Sequence, residues 1–220
     1  MTISRRTLLR QLAAAGLLGN IPLAIRQVMA AGNRPMRPGI YQLSGTVTLN
    51  GKPAAEGMPV NPGDTLVTGA NSRAIYVIGQ DAYLQRDNST VSILGTTVTS
   101  GLRILSGKLL SVFGKGNKQL QTSTATIGIR GTGCYIESEP ERTYFCLCYG
   151  TADVAPVAAP DKPQTLVTKH HEAPVWISRN DKEKPMSAAG VVNHSDDELD
   201  LLESLVGRTT PFAGSDVNRY

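Results

Sequence analysis

The three cysteines of this chain are the residues whose chemistry can be argued from type and spacing. Cys146 and Cys148 lie two positions apart in a strand-like run, so both side chains leave the same face of the strand. Pro140 and Glu141 offer a turn between this run and the one that holds Cys134. If the two runs form a hairpin, Cys134 lies opposite or diagonal to the pair. We therefore expect three sulfur atoms on one face of a sheet.

Two neighbouring histidines follow the cysteines and supply further candidate ligands. His170 or His171 would complete a set of three thiolates and one imidazole with Cys134, Cys146 and Cys148. Such a set suits zinc, or iron as another metal that accepts sulfur ligands. This is the hypothesis of a metal-binding or redox protein. The histidine pair is equally compatible with an exposed loop.

Two other interpretations of the cysteines stay open. A disulfide is the default for thiols in an oxidising compartment. Cys134 with either Cys146 or Cys148 is the better pair, because positions i and i+2 of one strand lie near the limit for bridging. That pairing leaves one thiol unpaired. In the other interpretation all three cysteines are buried, inert and act as small hydrophobic side chains. Covalent haem is excluded, since Cys-x-Cys is not the Cys-x-x-Cys-His attachment motif.

The N-terminus predicts export. Residues 4–10 (SRRTLLR) form a twin-arginine pattern, and residues 12–25 are weakly apolar but broken by glycines and Pro22. That segment is too short and interrupted for a permanent membrane anchor. We predict a twin-arginine signal peptide at 1–30, a linker at 31–38 and a periplasmic product. Because this route exports folded proteins, a metal could be installed before the thiols meet an oxidising environment.

The charge balance argues against nucleic acid as a partner. The whole chain has 22 Lys+Arg and 18 Asp+Glu, but four of the arginines and none of the acids fall in residues 1–30. The remainder carries 18 basic and 18 acidic residues and is formally neutral. Nothing in it indicates binding to nucleic acid or to an anionic membrane surface.

Residues 39–178 show the pattern of an all-β domain. Short alternating runs are separated by turn signals such as Asn50-Gly51, favoured in two-residue hairpins, and Pro62-Gly63-Asp64. Periodicity does not fix strand order, so a sandwich and a short β-solenoid both stay open. Residues 179–194 are polar and are interpreted as a linker.

One amphipathic helix is predicted at 195–206, followed by a tail at 207–220. Ser195 can cap this helix, and Glu198 at the third helical position completes a capping box. Leucines at helical spacing form one apolar face. This face either docks on the β domain or serves as an arm that binds a partner.

Several motifs, taken in order, resemble a FecR-like domain. Residues 57–64 (GMPVNPGD), 66–69 (LVTG) and 74–79 (AIYVIG) look like its opening, and residues 105–108 (LSGK) and 122–132 are similar to its closing motifs. The resemblance covers roughly residues 40–150 and implies a β-rich, extracytoplasmic fold. The regulators that give the family its name relay the state of an outer-membrane iron–siderophore receptor to a sigma factor.

Those regulators have a sigma-binding region and a transmembrane helix, whereas this chain is expected to have a cleavable signal peptide in their place. The resemblance therefore implies an exported, non-catalytic FecR-like module that senses or binds a ligand or an envelope protein, with iron or metal signalling as its suggested context. No nucleophile-elbow, phosphate-loop or metalloprotease motif occurs. Asp64 is interpreted as a structural residue that caps a turn. Arg130 is interpreted as a structural residue that donates to a neighbouring carboxylate or carbonyl.

Overall fold

The computed structural model describes residues 37–95, 100–215 and 220. They form an all-β structure with one C-terminal helix, as predicted. The strands are β1 (Gly39–Ser44), β2 (Val47–Leu49), β3 (Lys52–Pro53), β4 (Thr65–Thr68), β5 (Arg73–Ile78), β6 (Asp81–Gln85), β7 (Ser89–Gly95), β8 (Ser100–Val112), β9 (Asn117–Gln121), β10 (Ala125–Ser138), β11 (Arg142–Pro156), β12 (Gln164–Thr168), β13 (Val175–Ser178) and β14 (Met186–Ala188); the helix is α1 (Asp196–Leu205). The predicted signal peptide, 1–30, lies outside the described residues, as does most of the predicted linker 31–38.

The strands belong to one hydrogen-bonded network. Its main path runs β14-β13-β11-β10-β9-β8-β7-β4-β2-β3, with β12 on β11 and with β1, β5 and β6 joined through β8. Every pairing is antiparallel except that of β8 with β9. The long strand β10 pairs with β9 along its first half and with β8 along its second half. No described helix has the length and apolar character that a membrane span needs.

Turn chemistry explains how the first strands are connected. Asn50 and Gly51 have φ of 53° and 76°, so both central positions of the β2–β3 hairpin are left-handed. Asparagine and glycine tolerate this conformation best. Asp64 fixes the turn before β4, because its carboxylate accepts hydrogen bonds from the Asn61 backbone N–H and the Asn50 amide, both at 2.7 Å. The predicted capping role of Asp64 is confirmed.

Two hydrophobic clusters lie on opposite faces of the long strands. Because side chains alternate along a strand, β10 and β11 contribute to both. The first cluster has no residue from α1 and includes Ile136, Phe145 and Leu147. The second lies between the sheet and α1 and includes Tyr135 and Cys146. Each face of the hairpin is therefore covered.

The helix begins as the sequence predicts and docks on its own β domain. Ser195 accepts a hydrogen bond from the Glu198 N–H, and the Glu198 carboxylate accepts one from the Ser195 N–H. Leu199, Leu202 and Leu205 are fully buried in the second cluster. This packing favours the docking interpretation over a free partner-binding arm.

The segment between β13 and α1 is held against the sheet. β14 lies within the predicted linker 179–194 and pairs with β13. Further along, the Tyr144 hydroxyl donates to the Gly190 carbonyl at 2.8 Å. The chain therefore approaches α1 along the face that carries the second cluster.

Candidate metal centre

Cys146 and Cys148 project from the same face of β11, as predicted. Both are fully buried in the second cluster, which faces α1. The pair lies where β11 meets the turn that follows β12, because the His171 backbone N–H donates to the Cys148 carbonyl at 2.9 Å. Two sulfur atoms are thus presented to the segments that cover this face.

Cys134 lies on the other face of the sheet, so the expectation of three clustered sulfurs is wrong. In the β10–β11 register Cys134 pairs with Leu147, and Tyr135 pairs with Cys146. A difference of one residue in register reverses the face of every side chain. Cys134 is buried in the first cluster, and burial raises the pKa of its thiol. A disulfide from Cys134 to Cys146 or Cys148 does not form, and all three cysteines are free.

His171 completes a contact with the cysteine pair. It lies in the turn after β12 with a left-handed φ of 56° and is almost fully buried. Its Nδ1 atom is 3.5 Å from the Cys146 sulfur. The other ring nitrogen, Nε2, is 3.0 Å from a carboxylate oxygen of Asp196. The turn therefore aims one nitrogen at the sulfur and holds the ring by the other.

His194 is the member of this group that sequence reasoning missed. It precedes the N-cap of α1, and its ring stacks on Tyr135 with centroids 4.7 Å apart. Its Nε2 lies 3.1 Å from Nδ1 of His171, and its Nδ1 lies 2.6 Å from the Val192 carbonyl oxygen. The available signal was composition, because the chain has only three histidines and this one directly precedes a helix cap.

Cys146, Cys148, His171 and His194 converge to the dimensions of a tetrahedral metal site. Their ligand atoms all lie within 4.8 Å of one another, and all four residues are buried. With bonds of about 2.3 Å to sulfur and about 2.0 Å to nitrogen, the edges of a tetrahedral site measure about 3.5 Å between sulfur and nitrogen and about 3.3 Å between two nitrogens. The observed separations of 3.5 Å and 3.1 Å match those edges.

When both imidazoles are neutral, their outer hydrogen bonds leave both inner nitrogens as acceptors. The Val192 carbonyl and the Asp196 carboxylate can only accept, so His194 Nδ1 and His171 Nε2 each carry the hydrogen. In neutral rings the remaining nitrogens carry lone pairs, and these two atoms face each other at 3.1 Å. Two facing lone pairs need a positive charge between them, which is either a metal ion or, without metal, the proton that the raised pKa of His171 retains at neutral pH. Metal-binding histidines are typically oriented by such outer partners.

The charges of the cysteine pair suit metal binding as well. Hydrogen bonding from Cys148, and then from His171 and His194, lowers the pKa of the Cys146 thiol below its ordinary value against the opposing effect of burial. Burial raises the pKa of Cys148 well above its ordinary value, and the negative charge of Cys146 adds to that effect. Since metals bind the thiolate, Cys146 is prepared as a ligand, and metal binding would release the Cys148 proton.

Asp196 joins His170 to this group without bringing it into the ligand set. One oxygen of Asp196 contacts His171 and the other contacts His170 Nε2 at 3.0 Å. Burial acts to raise the pKa of this carboxyl, but hydrogen bonds from His171 and His170 lower it to about 2. Burial also acts to lower the pKa of His171, yet the bonds to Asp196 and Cys146 raise it to about 9. Of the two predicted histidines, only His171 faces the sulfurs.

Four protein ligands would close the coordination sphere of a zinc ion. Catalytic zinc sites keep one position open for water or substrate, whereas sites with four protein ligands are structural. The present set of two sulfurs and two imidazoles, buried between β11 and the start of α1, belongs to the second kind. Its chemical capacity is to hold a metal and to join two parts of the chain.

Arg130 lies away from this centre. Its guanidinium donates to Asp153 at 2.7 Å in an exposed cross-strand pair. This confirms the prediction of a carboxylate partner.

Comparison with family models gives no match, and no curated protein matches the chain. Among solved structures, crystal structures at 1.65 and 2.50 Å of a protein from Parabacteroides distasonis, described as a candidate anti-sigma factor, are similar to part of this chain at 9% identity. The similarity covers 57% of this chain and 60% of that protein, with TM-scores of 0.49 and 0.48. The chain thus spans less than two thirds of its neighbour's length.

Proposed function

We propose that this protein is a non-catalytic binding or sensing module of the bacterial envelope, stabilised by one zinc ion at Cys146, Cys148, His171 and His194. The observation that carries the proposal is the convergence of these four groups with both outer histidine nitrogens already hydrogen-bonded. The absence of an open ligand position in this set supports a structural rather than a catalytic metal.

Export by the twin-arginine route and the FecR-like resemblance complete the proposal. Both rest on sequence motifs, and they point to a module that folds with its metal and then acts on an envelope protein or a ligand. Folding before export protects two thiols that would otherwise oxidise in the periplasm. The metal therefore connects the proposed compartment to the proposed fold.

Metal content and cysteine variants test this function. Full-length protein purified without added metal should contain one equivalent of zinc by elemental analysis, and cobalt substitution should give the absorption of a tetrahedral thiolate site. Cys146→Ser and Cys148→Ser should each lose the metal. Cys134→Ser is the matched control, because it removes an equally buried cysteine on the other sheet face and should keep the metal.

The outcomes separate the competing chemistries. Loss of metal in Cys134→Ser, or a protein with one disulfide and no metal, would overturn the proposed centre. Iron in place of zinc would keep the ligand set and change the metal. Circular dichroism of each variant shows whether a loss of metal reflects a lost ligand or a lost fold.

A further inference from the structure

A cavity of about 690 Å³ lies next to the metal centre, on the far side of His170. Its walls come from the segment that follows β8, the middle of the β10–β11 hairpin, the turn after β12, and the end of α1 with the segment that follows it. His170 lines the cavity and also contacts Asp196, which holds His171. Because Lys115, Lys169 and Arg208 line it, we call it the cationic cavity.

Basic groups dominate the charges of the cationic cavity. Lys115, Lys169 and Arg208 line it, and both lysines are exposed without an ion pair among the described residues. The lining contains one carboxylate, Glu203, which already accepts hydrogen bonds from Tyr149 and Arg208. The Glu172 carboxylate lies at the Lys169 backbone N–H, but the lining itself keeps two lysines without an ion pair that can attract an anion.

Arg208 also has an unused donor. Its Nε donates to Glu203 and its Nη1 donates to the Gln80 carbonyl at 2.7 Å. Its Nη2 is buried and has no hydrogen-bond partner. The guanidinium that lines the cavity therefore keeps a positive charge and one N–H that no described residue uses.

The rest of the wall is apolar and aromatic. Phe113, Tyr149, Pro211 and Phe212 line the cavity, and its volume lies within the range of small-molecule sites. Flat apolar bodies pack well on such walls, and aromatic groups prefer edge or offset contacts with neighbouring rings. The shape thus suits a ring system, and the charges suit an acidic substituent.

We propose that the cationic cavity binds a small organic anion with an apolar or aromatic body. The anionic group would lie at Lys115 and Lys169, beside the Arg208 guanidinium, while the body contacts Phe113 and Phe212. This site is separate from the metal centre and does not depend on it for charge.

A pair of probes that differ only in charge tests the proposal. The full-length protein is titrated with 1-anilinonaphthalene-8-sulfonate and with N-phenyl-1-naphthylamine, which has the same ring system without the sulfonate. The sulfonate should bind saturably at one site and more tightly than the neutral probe. Added salt should weaken the binding of the sulfonate probe alone, because screening acts only on the charged probe.

Charge variants locate the site. The double variant Lys115→Gln, Lys169→Gln should bind the sulfonate probe about fivefold more weakly or worse and should bind the neutral probe as before. A fivefold loss is what the removal of two exposed charge contacts is expected to cost. Lys162→Gln with Lys182→Gln is the matched control, since both lysines are exposed and lie outside the cavity. Equal affinity for the two probes, binding that does not saturate, or equal effects of the two double variants would overturn the proposal.

Discussion

His171 Nδ1 and His194 Nε2 lie 3.1 Å apart, although strands β13 and β14 separate the two residues along the chain. Each ring is fixed by its other nitrogen, one through Asp196 and one through the Val192 carbonyl. The contact therefore fastens the turn after β12 to the residue before the cap of α1. A metal at this point would join the sheet to the helix.

The rings of His170 and His194 both contact His171, but only His194 belongs to the proposed ligand set. His194→Gln should lower zinc affinity by more than 100-fold, because loss of an outer partner already costs about 10- to 100-fold and this change removes a ligand. His170→Gln is the matched control and should keep nearly all of the affinity. Competition with a chromophoric chelator measures both. A larger loss in His170→Gln would place the metal at the His170, His171 and Asp196 group instead.

Asp196→Asn should reduce zinc affinity by about 10- to 100-fold without removing any ligand. The amide can no longer hold His171 Nε2 as an ionised acceptor, so the ring loses both orientation and basicity. Asp197→Asn controls for the loss of negative charge in the same first turn of α1. Competition titrations of both variants should separate them. If the two variants lost the same zinc affinity, Asp196 would act only through its negative charge at the start of α1 and not through His171.

Removal of the metal should lower the free energy of unfolding. Binding to the folded state alone stabilises by about 4 kcal/mol when free zinc exceeds its dissociation constant 1,000-fold. Urea unfolding with zinc and with a strong chelator measures the difference. His194→Gln should show little difference between the two conditions. An unchanged midpoint in wild-type protein after verified metal removal would contradict a structural metal.

Local patterns were sufficient to predict the elements that carry the site. The capping box of Ser195 and Glu198 depends on residues three apart, and the Asn50-Gly51 turn depends on two adjacent residues. The common face of Cys146 and Cys148 follows from strand alternation within one element. In each case the deciding interactions join residues that are close in sequence, so residue types and spacing are enough to predict them.

The ligand set depended on interactions that sequence spacing does not contain. The register of β10 against β11 decides the face of Cys134, and irregularities between Arg130 and Cys134 shift that register. His194 reaches the site because β14 and the Tyr144 bond to Gly190 hold its segment on the sheet. Neither relation follows from local periodicity.

Leu202→Ala should destabilise the protein by about 2–5 kcal/mol, since it empties a fully buried position between α1 and the sheet. Val167→Ala serves as the surface control, because that side chain is 70% exposed and should change stability by no more than about 0.5 kcal/mol. Chemical denaturation in the presence of zinc measures both. A small effect at Leu202 would mean that the helix contributes little to the folded state.

The buried carboxyl group of Glu203, which lies outside the metal centre, should make the stability of the protein depend on pH. Its carboxylate is buried on α1 beside Tyr149 and Arg208, and burial raises its pKa above the ordinary value although both neighbours act to lower it. A group with a raised pKa in the folded state stabilises the protein fully below its unfolded pKa. That contribution is lost as pH rises through the folded pKa.

Glu203→Gln removes this titration and keeps the shape of the side chain. The stability of wild-type protein relative to the variant should therefore fall as pH rises from below 4.5, the ordinary glutamate value, towards neutrality. Urea unfolding of both proteins across this range gives the difference, in which the shared titration of the metal ligands cancels. A difference that grows with pH would mean that Arg208 stabilises the ionised carboxylate by more than burial costs it.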